Sequence, residues 1–334
     1  MSRPPASIDL ICSEFDAALD LLRGAGLQLD VIYPADRPHT AILSHDGRSL
    51  RLTSEPGATA PGDPVAFQPE FVLTRGGEAG GGEGRAGMLY RDLIPSRLGG
   101  AFIASHITIP AGGPVADWVH FHKVAFQLIV VRRGWVRVVY EDQGEPFVMQ
   151  AGDMVLQPPE IRHRVLESSP GLEVIELGAP ALHETIADHD LPLPNGHEPE
   201  RDFAGQRFLR HIAADAPWTP FHGGEARETD MAAATGAIAA VRTIRPGTGP
   251  AVEFPLHDGE LVFGFVLEGS AELGRGEILA LGPADAFVIP PGEAWSLGGL
   301  SPDFRLLHVT TGKITWRRGN ERLYSAGVSF RGIA

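Results

Sequence analysis

The sequence of 334 residues predicts a mainly β protein in which two homologous β-barrels follow a small βαβββ module. Glycine (41 residues) and proline (28 residues) make up about a fifth of the chain, which indicates many tight turns between short strands. From about residue 100 onward, short alternating apolar segments are separated by Gly, Pro and Asp, which is typical of a sandwich or barrel of strands. This pattern of about 90 residues occurs a second time, and two barrels explain that repeat most simply.

Residues 1–56 are predicted to form the βαβββ module. The apolar segment IDLIC precedes a capping box, Ser13 to Asp16, that begins a helix, and the helix is expected to end near Gly24. The pair Asp46-Gly47 predicts a hairpin between the last two strands. The order of elements resembles one half of the vicinal-oxygen-chelate (glyoxalase-like) fold, but the metal ligands of that family are not matched. We therefore expect an accessory module for docking or dimerisation.

Residues 57–87 are rich in Gly and Pro and predict a flexible surface linker. Gly82, Gly84 and Gly87 match the spacing of a dinucleotide-binding loop. That loop requires a strand directly before the first glycine and a helix directly after the last, and neither is predicted here. The glycines therefore do not predict a nucleotide site.

The first barrel is predicted at residues 88–180 and the second at 231–334, with a connector at 181–230. Residues 119–138 align without a gap with residues 254–273, and both segments contain a His and a Gly at matching positions. Such internal similarity is the usual signature of a duplicated structural unit.

The formal charge of −14 disfavours binding to nucleic acid or to an anionic membrane surface. No apolar segment approaches the roughly 20 residues that a membrane-spanning helix requires. The single cysteine, Cys12, excludes both a disulfide framework and a thiolate zinc site. We expect a cytoplasmic protein, and a homodimer that covers the exposed strand edges of the barrels.

The first repeat contains the candidate metal ligands. In the segment His120-Phe121-His122 the two imidazoles point to the same side of a strand, because side chains alternate along a strand. Gln127 can return to that side on the next strand, and His163 can close the site from a strand that follows a Pro-Pro turn. Three neutral imidazoles and an amide oxygen suit one divalent first-row metal ion per chain, with positions left for water or substrate.

The two blocks around these residues resemble the cupin motifs G-x5-H-x-H-x3-4-E-x6-G and G-x5-P-x-G-x2-H-x3-N. The resemblance covers roughly residues 100–175 and, more weakly, 236–310, so the protein resembles a bicupin. Gln127 stands where the motif has a Glu ligand, and Pro159-Glu160 replaces the usual x-Gly.

In the second repeat the site is expected to be lost. Of the residues that correspond to the ligands, only His257 is retained, and the others are replaced by Pro255, Val262 and Trp295. A single imidazole does not hold a metal ion, so the second barrel is expected to serve as scaffold.

The resemblance implies three functions. Gentisate-type ring-cleaving dioxygenases, which are bicupins with three His ligands, suggest an Fe(II)-dependent dioxygenase for a small anionic substrate, with Ni, Mn or Zn as alternative metals. Single-domain cupins with three His and a Gln, which act on unsaturated sugar acids, suggest a metal-dependent isomerase, lyase or hydrolase. The third alternative is a non-catalytic ligand-binding cupin, since the fold does not fix the function.

No catalytic residue is predicted beyond the metal centre. Arg91 and His106 precede the motif and are candidates for binding the substrate at the barrel mouth. Phe126 and Trp135 are candidates for apolar walls of the substrate site. The faces on which Arg91 and His106 lie are not fixed by the sequence, and for Phe126 and Trp135 the favoured alternative is a packing role.

Overall fold

The computed structural model describes residues 8–63, 65–78, 82, 87–312 and 314. The first residues of the predicted module, most of the Gly-rich part of the predicted linker (Gly84 included) and residues 315–334 of the predicted second barrel lie outside the described residues.

The N-terminal module has the predicted βαβββ order: β1 (Ile8–Ile11), α1 (Phe15–Gly24), β2 (Gln28–Tyr33), β3 (Thr40–His45) and β4 (Arg48–Thr53). Its strands lie in the order β1-β4-β3-β2, with β1 parallel to β4. Asp46 and Gly47 both have positive φ, as the predicted tight hairpin requires. The predicted capping box is wrong, because Glu14 rather than Ser13 precedes the helix and no side chain caps it.

The segment predicted as a flexible linker contributes a strand, β5 (Val72–Thr74). This strand pairs antiparallel with Ala286–Val288 in the second barrel. A segment that precedes the first barrel in the sequence thus belongs to a sheet of the second barrel. Composition does not reveal such a long-range pairing.

The first barrel consists of strands that form two facing sheets. They are β6 (Leu89–Asp92), β7 (Ile103–Ile109), β8 (Gly113–Pro114), β9 (His120–His122), β10 (Phe126–Arg133), β11 (Trp135–Tyr140), β12 (Phe147–Gln150), β13 (Met154–Gln157), β14 (His163–Ser168) and β15 (Leu172–Ala179). One sheet has the order β13-β10-β15-β7-β6 and the other the order β9-β14-β11-β12, with β8 also paired to β14.

The predicted connector is built into these sheets rather than separate from them. It contains β16 (Thr185–Ala187), β17 (Leu209–His211), a 3-10 helix (Ala213–Asp215), β18 (Thr219–Phe221) and β19 (Gly224–Glu228). β16 pairs with β2 on one side and with β9 on the other, so the sheet of the module continues into the sheet of the first barrel. β17 extends the opposite sheet beside β13.

The second barrel repeats the first. It contains α2 (Met231–Ala234), β20 (Ala239–Arg245), β21 (Val252–Phe254), β22 (Leu261–Glu268), β23 (Ala271–Gly274), β24 (Ile278–Leu281), β25 (Ala286–Ile289), β26 (Trp295–Gly298) and β27 (Arg305–Thr311). The pairing of β22 with β27 matches that of β10 with β15, including an irregularity just before Gly269 and Gly134, respectively. The gapless alignment of the two segments is thus confirmed by their shared geometry.

Apolar side chains pack inside each barrel and between the barrels. The cluster between the barrels includes Phe126 of the first and Phe263 and Phe265 of the second. Inside the second barrel, Phe254 stacks on Trp295 with ring centroids 3.6 Å apart. Neither α1 nor α2, the α-helices among the described residues, is long and apolar enough to cross a bilayer.

Candidate metal centre

Three histidines converge inside the first barrel. His120 and His122 lie on β9, and His163 begins β14, where it pairs directly with His120. All three side chains are buried, and their candidate ligand atoms lie within 4.8 Å of one another. The structure thus brings together the three histidines that the sequence analysis selected, and their role as metal ligands stays a prediction.

The hydrogen bonds behind the rings fix which nitrogen faces the centre. His120 Nδ1 donates to the carbonyl oxygen of Trp118 at 2.7 Å, and His163 Nδ1 donates to that of Ile161 at 3.0 Å. A carbonyl oxygen only accepts, so Nδ1 carries the proton and Nε2 keeps the lone pair that binds a metal ion. In both rings Nδ1 is therefore bonded to the backbone, and Nε2 is the nitrogen that is available to a metal ion.

His120 and His122 are supported by two residues that the sequence analysis missed. The buried Asp117 carboxylate lies 3.7 Å from His120 Nδ1 and accepts a hydrogen bond from the backbone of Val165. The hydroxyl of Thr185, on β16, lies 3.0 Å from His122 Nδ1. Such partners orient ligating imidazoles and raise their basicity.

Gln127 reaches the same cavity from the opposite sheet. Its side chain is 1% exposed, and its Nε2 donates a hydrogen bond to the Glu176 carboxylate on β15. Its Oε1 is buried and has no hydrogen-bond partner among the described residues. Three neutral imidazoles with a buried, unsatisfied amide oxygen fit a divalent first-row metal ion.

The histidines lie on the wall of a cavity of about 80 Å³. Most of the lining is apolar and includes Ile107, Ile129, Val138, Met149, Val165, Leu172 and Val174. Besides the histidines, Gln127 and Glu176, the polar lining residues are Gln157 and the tyrosines, and Gln157 Nε2 donates to the Tyr140 hydroxyl at 2.9 Å. Burial raises the pKa of Tyr140, so its hydroxyl stays protonated.

The structure places the four candidate substrate residues away from this cavity. Arg91 and His106 face the second barrel, where Arg91 donates to the carbonyl oxygen of Ala284 and His106 contacts the ring of Phe265. Because side chains alternate along a strand, their neighbours Tyr90 and Ile107 line the cavity instead. Substrate binding by Arg91 and His106 stays a prediction.

Phe126 and Trp135 are likewise not among the residues that line the cavity. Phe126 is 1% exposed and packs in the cluster between the barrels, while the next residue, Gln127, faces the cavity. Trp135 does not line the cavity either, although its neighbour Val136 does. Phe126 is therefore a packing residue in this fold.

The second barrel carries one further buried histidine that the repeat did not predict. His308 lies on β27 and pairs with Gly264. It takes the position of Glu176 in the first barrel, which pairs with Ile129. The Phe254 and Trp295 rings pack against it. Within the described part of the chain, a group of three or more His, Cys, Asp or Glu able to hold a metal ion occurs only in the first barrel.

Comparison with known proteins agrees with this architecture. The Cupin_2 cupin domain family matches residues 105–175, a range that contains Gln127 and the three histidines. No curated protein is similar enough in sequence to match the chain.

Solved structures match over much of the chain. The match with a glyoxylate-induced protein from Pseudomonas aeruginosa covers 81% of this chain and 97% of that protein's chain, with a TM-score of 0.53 and 14% identity. Lactobacillus farciminis oxalate decarboxylase covers 75% and 88%, respectively, with a TM-score of 0.53 and 16% identity. Protein Ylba from E. coli covers 75% and 93% with a TM-score of 0.53 and 12% identity. These likenesses concern the fold: residues 105–175 of the first barrel match the cupin domain, and the two-barrel fold of the chain is similar to that of these proteins.

Proposed function

We propose that the first barrel is a mononuclear metalloenzyme centre, an Fe(II)-dependent dioxygenase for a small anionic substrate with an apolar body. The observation that carries the proposal is the pairing of three neutral imidazole ligands with a mostly apolar cavity. Neither Lys nor Arg is among the described residues that line this cavity. The negative charge of a substrate would therefore have to be neutralised by the ion itself.

When bound, an iron(II) ion supplies Lewis acidity and the ability to react with dioxygen. The chain contributes the surroundings. The apolar walls exclude water and accommodate a hydrocarbon or aromatic body, whereas the hydroxyl groups of a sugar acid would find few partners there and would be costly to bury. The Tyr140 hydroxyl accepts a hydrogen bond from Gln157 and retains its own proton to donate to a substrate oxygen.

A second candidate function is a metal-dependent isomerase, lyase or hydrolase. One observation favours it: the Glu176 carboxylate lines the cavity and could accept a proton from a bound substrate. The dioxygenase requires no such base. The two candidates therefore differ in their need for dioxygen.

The test is an assay of the full-length protein loaded anaerobically with Fe(II), Mn, Ni or Zn. Hydroxylated aromatic acids and small keto or hydroxy acids would be supplied with and without air, and O2 uptake and products measured. We expect Fe(II)-dependent O2 consumption that is lost in His120→Ala and retained in the exposed control His45→Ala. Turnover that persists without O2 or with Zn would reject the dioxygenase, and tight binding without turnover would indicate a ligand-binding cupin.

A further inference from the structure

Glu176 is a carboxylate inside the metal-binding barrel that the cupin motif does not anticipate. It lies on β15, which pairs antiparallel with β10 so that Gln127 is opposite Gly178. Glu176 is two residues from Gly178, which makes it a diagonal neighbour of Gln127 on the same face of the sheet. The register of these two strands thus brings the carboxylate beside the amide.

The hydrogen bond between these side chains fixes the orientation of the amide. Gln127 Nε2 donates to Glu176 Oε1. In the reverse orientation the amide oxygen would face a carboxylate oxygen, and two acceptors would then meet. Gln127 Oε1 is therefore turned away from Glu176, and it is the atom that is buried without a hydrogen-bond partner among the described residues.

Glu176 itself is not among the candidate metal ligands. Among the described residues, the ligand atoms that lie within 4.8 Å of one another come from His120, His122 and His163, and the Glu176 carboxylate does not belong to this group. Gln127, in contact with Glu176 and lining the same cavity, is the side chain through which the carboxylate can act on the ion.

We propose that Glu176 is a positioning residue that holds the Gln127 amide with its oxygen toward the metal ion and makes that oxygen a stronger ligand. A carboxylate that accepts a hydrogen bond from the amide N–H increases the electron density on the amide oxygen, as a carboxylate does behind a ligating histidine. The pair replaces the single Glu ligand of the cupin motif. This inference rests on the proposed metal centre but not on the proposed reaction.

The arrangement also changes the electrostatics of the site. A carboxylate is still present in the barrel, as in the motif with a Glu ligand, but it contacts the Gln127 amide and is not itself the proposed ligand. The ion keeps its full +2 charge toward an anionic substrate that binds directly to it. The site thus favours anionic ligands more than a site with a directly bound carboxylate would.

The test is binding of Co(II) to the full-length protein, measured by titration together with the visible absorption spectrum of the bound ion. Glu176→Gln keeps a hydrogen-bond acceptor but removes the charge, and we expect the affinity for Co(II) to fall about 10- to 100-fold and the spectrum to shift. Glu173→Gln is the matched control, because Glu173 lies on the same strand but faces His106 and Arg132 outside the cavity. It should leave both readouts unchanged.

The double variant Gln127→Glu/Glu176→Gln returns the carboxylate to the motif position, and we expect it to restore the affinity for Co(II). Wild-type affinity and spectrum in Glu176→Gln would overturn the inference. A loss of affinity that the double variant does not restore, accompanied by a lower melting temperature, would assign Glu176 a folding role and also overturn it. If Co(II) affinity falls in Glu176→Gln and returns in the double variant, but the enzyme consumes no O2 with any substrate, the proposed reaction fails and this inference stands.

Discussion

Replacing His106 with Gln should remove a pH dependence from the stability of the protein. His106 is partly buried between the barrels, where Glu173 lies 2.9 Å from its Nε2 and Arg91 3.3 Å from its Nδ1. Burial, and then the positive charge of Arg91, lower its pKa from 6.5 to about 4. The nearby guanidinium of Arg132 also lowers the pKa of His106, whereas the Glu173 carboxylate raises it.

The sign of the effect follows from the protons that each state binds. Between pH 6.5 and about 4 the unfolded chain protonates this imidazole while the folded protein does not, so the free energy of unfolding falls as the pH falls. The difference between these pKa values corresponds to about 3 kcal/mol in the free energy of unfolding. This contribution is lost as the pH falls to about 4. Above pH 6.5 both states are neutral and the contribution is constant.

Urea unfolding of the metal-free wild type and of His106→Gln at pH 7, 6, 5 and 4 measures this effect. We expect the wild type to lose up to about 3 kcal/mol more than the variant between pH 7 and 4. Parallel pH profiles for the two proteins would refute the reasoning. A raised KM with an unchanged profile would instead return His106 to the substrate-binding role that its sequence position suggested.

Four further perturbations test the site and its support. Purified wild type should contain close to one divalent ion per chain by elemental analysis, and His120→Ala should contain none; full occupancy of that variant would contradict the assignment. Thr185→Val removes the partner of His122 Nδ1 at nearly constant volume and should weaken metal binding about 10- to 100-fold in a titration. Phe126→Ala should lower the free energy of unfolding by about 3–5 kcal/mol without changing the metal content, whereas loss of the ion would place Phe126 in the site. Deleting residues 1–56 removes β2 from the edge of β16, so metal binding should weaken but remain measurable and solubility should fall; unchanged affinity would mean that β16 is held without the module.

The sequence by itself determined the features that depend on local periodicity and on the repeat. The His120-x-His122 spacing places two imidazoles on one side of a strand whatever the rest of the fold does. Asp46-Gly47 specified its hairpin through backbone conformations that few other pairs adopt. The gapless repeat predicted two equivalent barrels, and the strand pairings confirm them.

Only the tertiary structure decided which face of each strand lines the cavity. The strands of this barrel bury side chains on both faces, one toward the cavity and one toward the second barrel, so apolar alternation does not distinguish them. Glu173 and Glu176 lie three residues apart and therefore on opposite faces, and the pairing of β15 with β10 places Glu176 beside Gln127. Thr185 is 63 residues from His122 in the chain, and β16 brings it to the ring. Contacts of this kind depend on strand register and on long-range pairing, which are set by the packing of the whole fold rather than by any local pattern of residues.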